Sequence, residues 1–235
     1  MDLVTTFYGW EFLLRYLHFL AGITWIGVLY YFNFIQTPFF GSELGGQAKG
    51  AMTRGLVPTA LWWFRWGAMF TFLTGWIIVF LKMHGGIGLD DGYMTRILTG
   101  GVMGSIMWYN VWFIIWPAQR DYAIKSAEQV AGGGEPVPGT PEKAALAARA
   151  SRTNTLFSIA MLFFMGSASH LQTFNNGTND VAYWIIALVL ILLVELNAVV
   201  GTGARQKYLA GVSSTIHAGL GLTLVLYLVG LFVNS

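Results

Sequence analysis

The sequence predicts an all-α protein, a polytopic bundle of about six transmembrane helices. Hydrophobic residues make up 55% of the 235 residues and charged residues only 10%, whereas about a quarter of the residues in a soluble domain are charged. Six stretches also approach the roughly 20 apolar residues that a helix needs to cross a bilayer. We therefore expect a single transmembrane helical domain over residues 1–235, surrounded by membrane lipid.

The predicted spans follow one another along the whole chain. They are Phe12–Ile35, Ala60–Leu81, Ile97–Trp116, Thr155–Leu171, Ala182–Val200 and Val212–Val233. The fourth span is short and carries three serines, so we expect it to pack inside the bundle. The connection over residues 117–154 has a tip rich in glycine and proline, and Thr140-Pro141-Glu142-Lys143 is a typical helix start. Arg120–Val130 and Pro141–Ala150 are therefore expected to be short helical extensions.

The orientation follows from the lysines and arginines in the connections, because cytoplasmic loops carry an excess of them. The side with loops 1–2, 3–4 and 5–6 has nine, and the side with the two termini has three. The nine are Lys49, Arg54, Arg120, Lys125, Lys143, Arg149, Arg152, Arg205 and Lys207. We therefore expect the loop over residues 117–154 to be cytoplasmic and both termini to be periplasmic, in a bacterial cytoplasmic (inner) membrane.

The chain contains no cysteine, which excludes disulfides, thiolate metal sites and covalently attached c-type haem. Any haem that this chain holds is therefore non-covalent haem b. A c-type cytochrome partner must be another polypeptide. The net charge of +2 comes without any basic run, so nothing indicates a nucleic-acid partner.

Two histidines, His18 and His170, lie near the outer ends of spans one and four. Histidine is costly inside a membrane and is often functional there. Two imidazoles at the same depth on neighbouring helices can bind one haem iron from both sides. In this interpretation Arg15 or Arg96 would pair with the haem propionates and Trp25 would contact the ring. The alternative is that both histidines are packing residues.

Two further groups of polar residues need an explanation. His84 lies just beyond span two on the outer side and is a reserve ligand for the iron. Arg65, Glu195 and His217 lie in the inner half of the bundle, where a buried carboxylate needs a partner. Pairing of Glu195 with Arg65 or His217 would make a proton relay or a polar substrate site. Alternatively, such a pair only fixes the register of the helices.

Four stretches resemble the membrane domain of the bacterial cytochrome-c-linked urate oxidases (urate hydroxylases). They are Arg15-Tyr-Leu-His18-Phe-Leu-Ala-Gly-Ile-Thr-Trp25-Ile-Gly27, Asn110-Val-Trp-Phe-Ile-Ile-Trp-Pro117, Ala150-Ser-Arg-Thr-Asn154-Thr-Leu-Phe-Ser-Ile-Ala-Met-Leu-Phe-Phe-Met165 and Glu195-Leu-Asn-Ala198. The first stretch is also similar, more weakly, to the HemJ-type membrane haem proteins. The resemblance to the urate oxidases implies a helical membrane module that works beside a c-type cytochrome domain.

Three functions follow from these observations. The first is a haem b electron-transfer subunit that works with a periplasmic cytochrome c or a larger respiratory complex. The second is a membrane urate oxidase that passes electrons to a separate cytochrome c, with Glu195, Arg65 and His217 lining the substrate pocket. The third is an accessory subunit without chemistry, whose helices brace a multisubunit membrane complex.

Overall fold

A computed structural model describes residues 2–171 and 180–233, which are almost entirely helical and contain no strand. The α-helices are α1 (Asp2–Thr5), α2 (Phe7–Phe40), α3 (Glu43–Gly55), α4 (Val57–His84), α5 (Gly92–Ala131), α6 (Thr140–Ser167), α7 (Asp180–Val200) and α8 (Val212–Val233). A 3₁₀-helix, Gly203–Leu209, connects α7 to α8. The all-α fold class is thus confirmed.

Five of the described helices, rather than the predicted six, are long and apolar enough to cross a membrane: α2, α4, α5, α7 and α8. The stretch predicted as the fourth span, Thr155–Leu171, belongs to α6, which begins at Thr140 and ends at Ser167. Four polar side chains in the middle of α6 are completely buried: Thr153, Asn154, Thr155 and Ser158. Because other helices cover the middle of α6, that part does not need the continuous apolar surface of the other five.

Helix α6 is the centre of the bundle. It packs against α5 on one side and against α7 and α8 on the other, while α2 packs mainly along α4. Close approach of α6 and α8 depends on Gly219, because a Cβ atom there would lie 2.8 Å from the carbonyl oxygen of Leu156. The buried core between these helices includes large side chains such as Phe157 and Phe164.

The helix starts have recognisable caps. The hydroxyl of Thr6 accepts a hydrogen bond from the backbone N–H of Gly9 at the start of α2. A carboxylate oxygen of Asp91 accepts from the N–H of Tyr93 at the start of α5. Each cap satisfies a backbone donor that has no partner within the helix. Helix α6 begins at Thr140 with a proline in its first turn, which confirms the helix start predicted from the sequence.

Helices α2 and α5 each widen into π-helix before a proline. The π segment Tyr31–Gln36 in α2 is followed by Pro38, and the segment Asn110–Ile115 in α5 is followed by Pro117. Proline lacks an N–H and its ring collides with the carbonyl of the preceding turn, so the backbone must rearrange there. Both segments place an asparagine against α6, and such π turns are frequent at functional sites.

Candidate functional site

His18 is half-buried on α2 and faces α4. Its Nδ1 lies 3.1 Å from the hydroxyl oxygen of Thr74, and that hydroxyl donates to the carbonyl oxygen of Phe70 at 2.6 Å. Because the Thr74 proton is used in this second bond, the oxygen accepts from His18 and Nδ1 carries the hydrogen. This assignment of the tautomer follows from the hydrogen bonds. It leaves a lone pair on Nε2, the atom that would bind a metal.

Gly75 gives the His18 ring its position. A Cβ atom on Gly75 would lie 3.0 Å from Cε1 of the imidazole. Any larger residue at position 75 would therefore push the ring away from α4 and weaken the hydrogen bond to Thr74. The orientation of His18 is thus fixed by two consecutive residues of the neighbouring helix.

His170 lies three residues beyond the end of α6 and is exposed. Its Nδ1 is 2.9 Å from the carbonyl oxygen of Gly166. A carbonyl oxygen only accepts, so Nδ1 must donate, and Nε2 again carries the lone pair. His217 forms the same kind of bond with the carbonyl oxygen of Ser213, at 2.7 Å. A histidine that binds a metal through Nε2 must have this tautomer. The tautomer alone does not identify a metal ligand, because His217 has it too.

Helices α2 and α6 cross with opposite directions. The hydroxyls of Tyr30 and Ser158 are 2.9 Å apart, and the Asn33 amide nitrogen is 2.8 Å from the hydroxyl of Ser151. As the residue number increases along α2, the partner's number decreases along α6. The two helices are therefore antiparallel.

The crossing puts His18 and His170 at one level of the bundle. His18 lies 12 residues before Tyr30, and His170 lies 12 residues after Ser158. At 1.5 Å per residue, both are about 18 Å from the crossing and at the same end of the molecule. Both histidines therefore lie toward the same end of the two helices, and the common depth expected from the sequence stays a prediction.

The two arginines expected near this end have different surroundings. Arg96, on α5, is buried, and its Nη2 donates to the carbonyl oxygen of Ala168 at 3.3 Å. It therefore lies beside the turn that carries His170. Arg15 lies 2.6 Å from a carboxylate oxygen of Glu11, and the same oxygen is 2.8 Å from the Lys82 ammonium. The Arg15 charge is thus already partly neutralised by a carboxylate within the protein.

The sequence reasoning missed Glu11, which is buried and connects α2 to α4 through Lys82. Its spacing of four residues from Arg15 is a signal that could have found it, because residues i and i+4 of a helix are neighbours. Next to this ion-pair cluster is a cavity of about 380 Å³, also lined by His84. His84 lies ten residues beyond Thr74, about 15 Å along α4 from the level of His18.

Trp25 is buried seven residues after His18, on the same face of α2. Its backbone nitrogen would lie 3.1 Å from a Cβ atom at Gly67, so the two helices are in close contact there. The indole Nε1 is buried and has no hydrogen-bond partner in the described part of the chain. A buried donor without a partner is unusual.

Glu195 has a partner that the sequence reasoning did not find. Its Oε2 accepts a hydrogen bond of 3.1 Å from the side-chain amide of Asn110, which also donates to Asn154 at 2.9 Å. Within the described ranges Glu195 forms no ion pair with Arg65 or His217, so the expected pairing is not seen. Both asparagines are completely buried. The amide chain connects α5, α6 and α7.

The signal for this amide chain was present in the sequence. Asn110, Asn154 and Glu195 each lie in one of the stretches that carry the family resemblance. The structure brings these three distant stretches together at one place. Amides carry no charge, so they do not stand out among the charged residues of the sequence. Their N–H groups nevertheless donate to a buried carboxylate, as an arginine would.

A smaller polar cavity, of about 120 Å³, lies between α2, α4, α5 and α6. Its polar lining consists of Asn33, Gln36, Thr37, Gln119, Ser151 and Arg152. The amide nitrogen of Asn33 donates to the carbonyl oxygen of Leu29 and to the hydroxyl of Ser151. Its amide oxygen can therefore accept a hydrogen bond from a ligand. Gln36 Oε1 is buried and has no hydrogen-bond partner among the described residues. The cavity therefore offers amide acceptors together with the guanidinium of Arg152.

The described part of the chain is therefore a bundle of helices, five of which are long and apolar enough to cross a membrane. His18 and His170 lie toward one end of the bundle, and the cavity lined by Asn33, Gln36 and Arg152 lies further along it. The family model named urate oxidase N-terminal matches residues 91–226. This match covers more than half of the chain, so the chain belongs to the urate oxidase N-terminal family. No curated protein and no solved structure matches the chain.

Proposed function

We propose that this protein is an integral membrane electron-transfer subunit that holds one haem b between His18 and His170. The observation that carries the proposal is the equal spacing of the two histidines from the crossing of α2 and α6. In both residues Nδ1 is a donor and Nε2 keeps its lone pair. Neutral imidazoles that donate through the other ring nitrogen are the usual axial ligands of haem iron.

The surrounding residues support the same site. Arg96 lies beside the His170 turn and can pair with a propionate. Thr74 and Gly75 hold the His18 ring, and Trp25 offers an indole N–H on the same helix face. When bound, haem b would supply reversible one-electron transfer. The protein side chains would hold and orient it and exclude water from its faces.

The arrangement in the membrane belongs to the same proposal. We infer that α6 is the sixth crossing, because it has 28 residues, about 42 Å of helix, and the other helices cover its polar middle part. The lysines and arginines favour periplasmic termini, in a bacterial inner membrane. His18 and His170 then lie near the periplasm, where a soluble c-type cytochrome or the exposed part of a respiratory complex can exchange electrons with the haem.

A visible spectrum of the purified protein tests the proposal. The wild type should show a Soret band, and reduction with dithionite should sharpen the α-band of low-spin haem b. His18→Ala and His170→Ala should each abolish that spectrum, whereas His217→Ala should leave it intact as a matched control. Colourless wild-type protein from haem-replete cells, or full haem content in His18→Ala, would overturn it.

A second function, urate oxidation with electrons passed to a separate cytochrome c, is favoured by the family and by the polar cavity. Asn33 and Gln36 offer carbonyl oxygens and Arg152 offers donors, which suits a planar anion that carries N–H groups. Urate-dependent reduction of added cytochrome c would be the readout. Gln36→Leu should raise the KM for urate, whereas Gln47→Leu on the exposed surface of α3 should not. No urate-dependent reduction with a competent cytochrome present would exclude this function.

A further inference from the structure

We propose that Arg65 binds the phosphodiester group of an anionic phospholipid at the end of the bundle where α4 begins. The Arg65 guanidinium lies among three indoles. Its Cζ is 4.1 Å from the ring centre of Trp116, 5.0 Å from that of Trp112 and 5.8 Å from that of Trp66. These contacts hold the planar group in one place and leave its hydrogen-bonding edges for a ligand.

The charge around Arg65 is not balanced within the described residues. Arg65 forms no ion pair there, and its Nε is buried without a hydrogen-bond partner. A second guanidinium, that of Arg120, lies 5.7 Å from the Trp116 ring centre. Arg120 is paired in a bidentate way with Asp121, at 2.6 and 2.7 Å. Lys125 also lies near Asp121, so the cations around Arg65 outnumber the carboxylate, and a phosphodiester would reduce this positive charge.

The position of Arg65 along α4 fits the headgroup region. Helix α4 has 28 residues, about 42 Å, which exceeds the roughly 30 Å of membrane hydrocarbon by about 12 Å. Arg65 lies eight residues after Val57, and because the charged cluster at Lys82 takes part of the excess at the other end, Arg65 lies within about one helical turn of the edge of the hydrocarbon, from where a long side chain extends to the headgroups. Trp62 and Trp63 nearby are 48% and 55% exposed, and tryptophans collect at the membrane interface. A phospholipid is therefore the anion that this position would meet.

The experiment measures how much phosphatidylglycerol stays bound to purified full-length protein, by native mass spectrometry from detergent with added lipid. Arg65→Gln should retain about fivefold less phosphatidylglycerol than the wild type, from the contribution of one basic residue near a membrane surface. Arg65→Lys should fall between them, because it keeps the charge but loses the planar fork. Arg54→Gln is the matched control, since Arg54 is exposed on α3 and its Nε donates to the carbonyl of Gly50 within its own helix.

Four results would overturn the proposal. The first is that Arg65→Gln retains as much phosphatidylglycerol as the wild type, and the second is that Arg54→Gln loses as much as Arg65→Gln. The third is that the wild type retains zwitterionic phosphatidylcholine as well as phosphatidylglycerol. The fourth is that inorganic phosphate at millimolar concentration displaces the lipid. The last result would show a site for free anions. If Arg65→Gln fails to fold, Arg65→Lys decides, and retention equal to the wild type then overturns the proposed role of the planar guanidinium. The test does not depend on haem or on urate.

Discussion

The hydrogen bond from His18 to Thr74 gives the sharpest prediction. Thr74→Val keeps the shape of the side chain but removes the oxygen that accepts from Nδ1 at 3.1 Å. The imidazole then loses the hydroxyl that holds its Nδ1–H and keeps only the weaker hydrogen bond to the backbone of Thr71. We expect weaker haem binding without a change in the helices.

The magnitude follows from the kind of contact that is lost. Removal of a group that hydrogen-bonds a metal ligand usually lowers metal affinity about 10- to 100-fold, which corresponds to about 1.4–2.8 kcal/mol. The protein itself should lose only about 1 kcal/mol of stability, because one hydrogen bond between helices disappears. Affinity should therefore fall more than stability.

Thr71→Val is the matched control. Thr71 lies one turn earlier on α4, is similarly buried, and its hydroxyl donates to the carbonyl of Gly67 at 2.7 Å within its own helix. The assay is titration of haem-free protein with haem, followed at the Soret band, together with thermal unfolding in detergent. Equal haem affinity in Thr74→Val and Thr71→Val would refute the role given to Thr74.

Two further predictions concern stability, both measured by thermal unfolding in detergent. Asn110→Leu should destabilise the protein by about 2–3 kcal/mol, because Glu195 and a second buried acceptor lose their donor; an unchanged midpoint would show that the amide chain contributes nothing. Gly219→Ala should cost about 1–3 kcal/mol, since the new Cβ would lie 2.8 Å from the Leu156 carbonyl oxygen. Gly221→Ala on the same helix meets nothing within 4 Å and should be neutral or stabilising; equal effects of the two alanines would contradict this packing.

Much of the fold could be predicted because hydropathy directly reflects contact with lipid. Five of the six predicted spans fall on helices that are apolar enough to cross a membrane. The extensions predicted at Arg120–Val130 and Pro141–Ala150 are helical, as continuous parts of α5 and α6. The prediction was wrong only for α6 as an apolar span. The middle of that helix is covered by other helices, and hydropathy does not report on a surface that faces protein.

Side-chain partners could not be predicted, because they depend on the rotation of each helix about its axis. Glu195 was expected to meet a charged partner, but Asn110 donates to it instead. Arg15 was one of two arginines expected to pair with a propionate, and it lies against Glu11 one turn away. In contrast, the end of the molecule near which His18 and His170 lie depends only on counting residues along two helices, and their convergence on one iron stays a prediction.

The π segments also determine where this chain can be cut or extended. Each wide turn takes in one residue more than an α-helical turn, so deleting that residue would let the turn close as α-helix, whereas deleting a residue from a flanking α-helical turn would rotate everything beyond it by about 100°. In α5 such a rotation would turn Pro117 and the tryptophans around it away from their neighbours. Fusion partners, labels and chimaeric junctions are therefore better placed in the turn over residues 132–139, where added length leaves the helical register untouched.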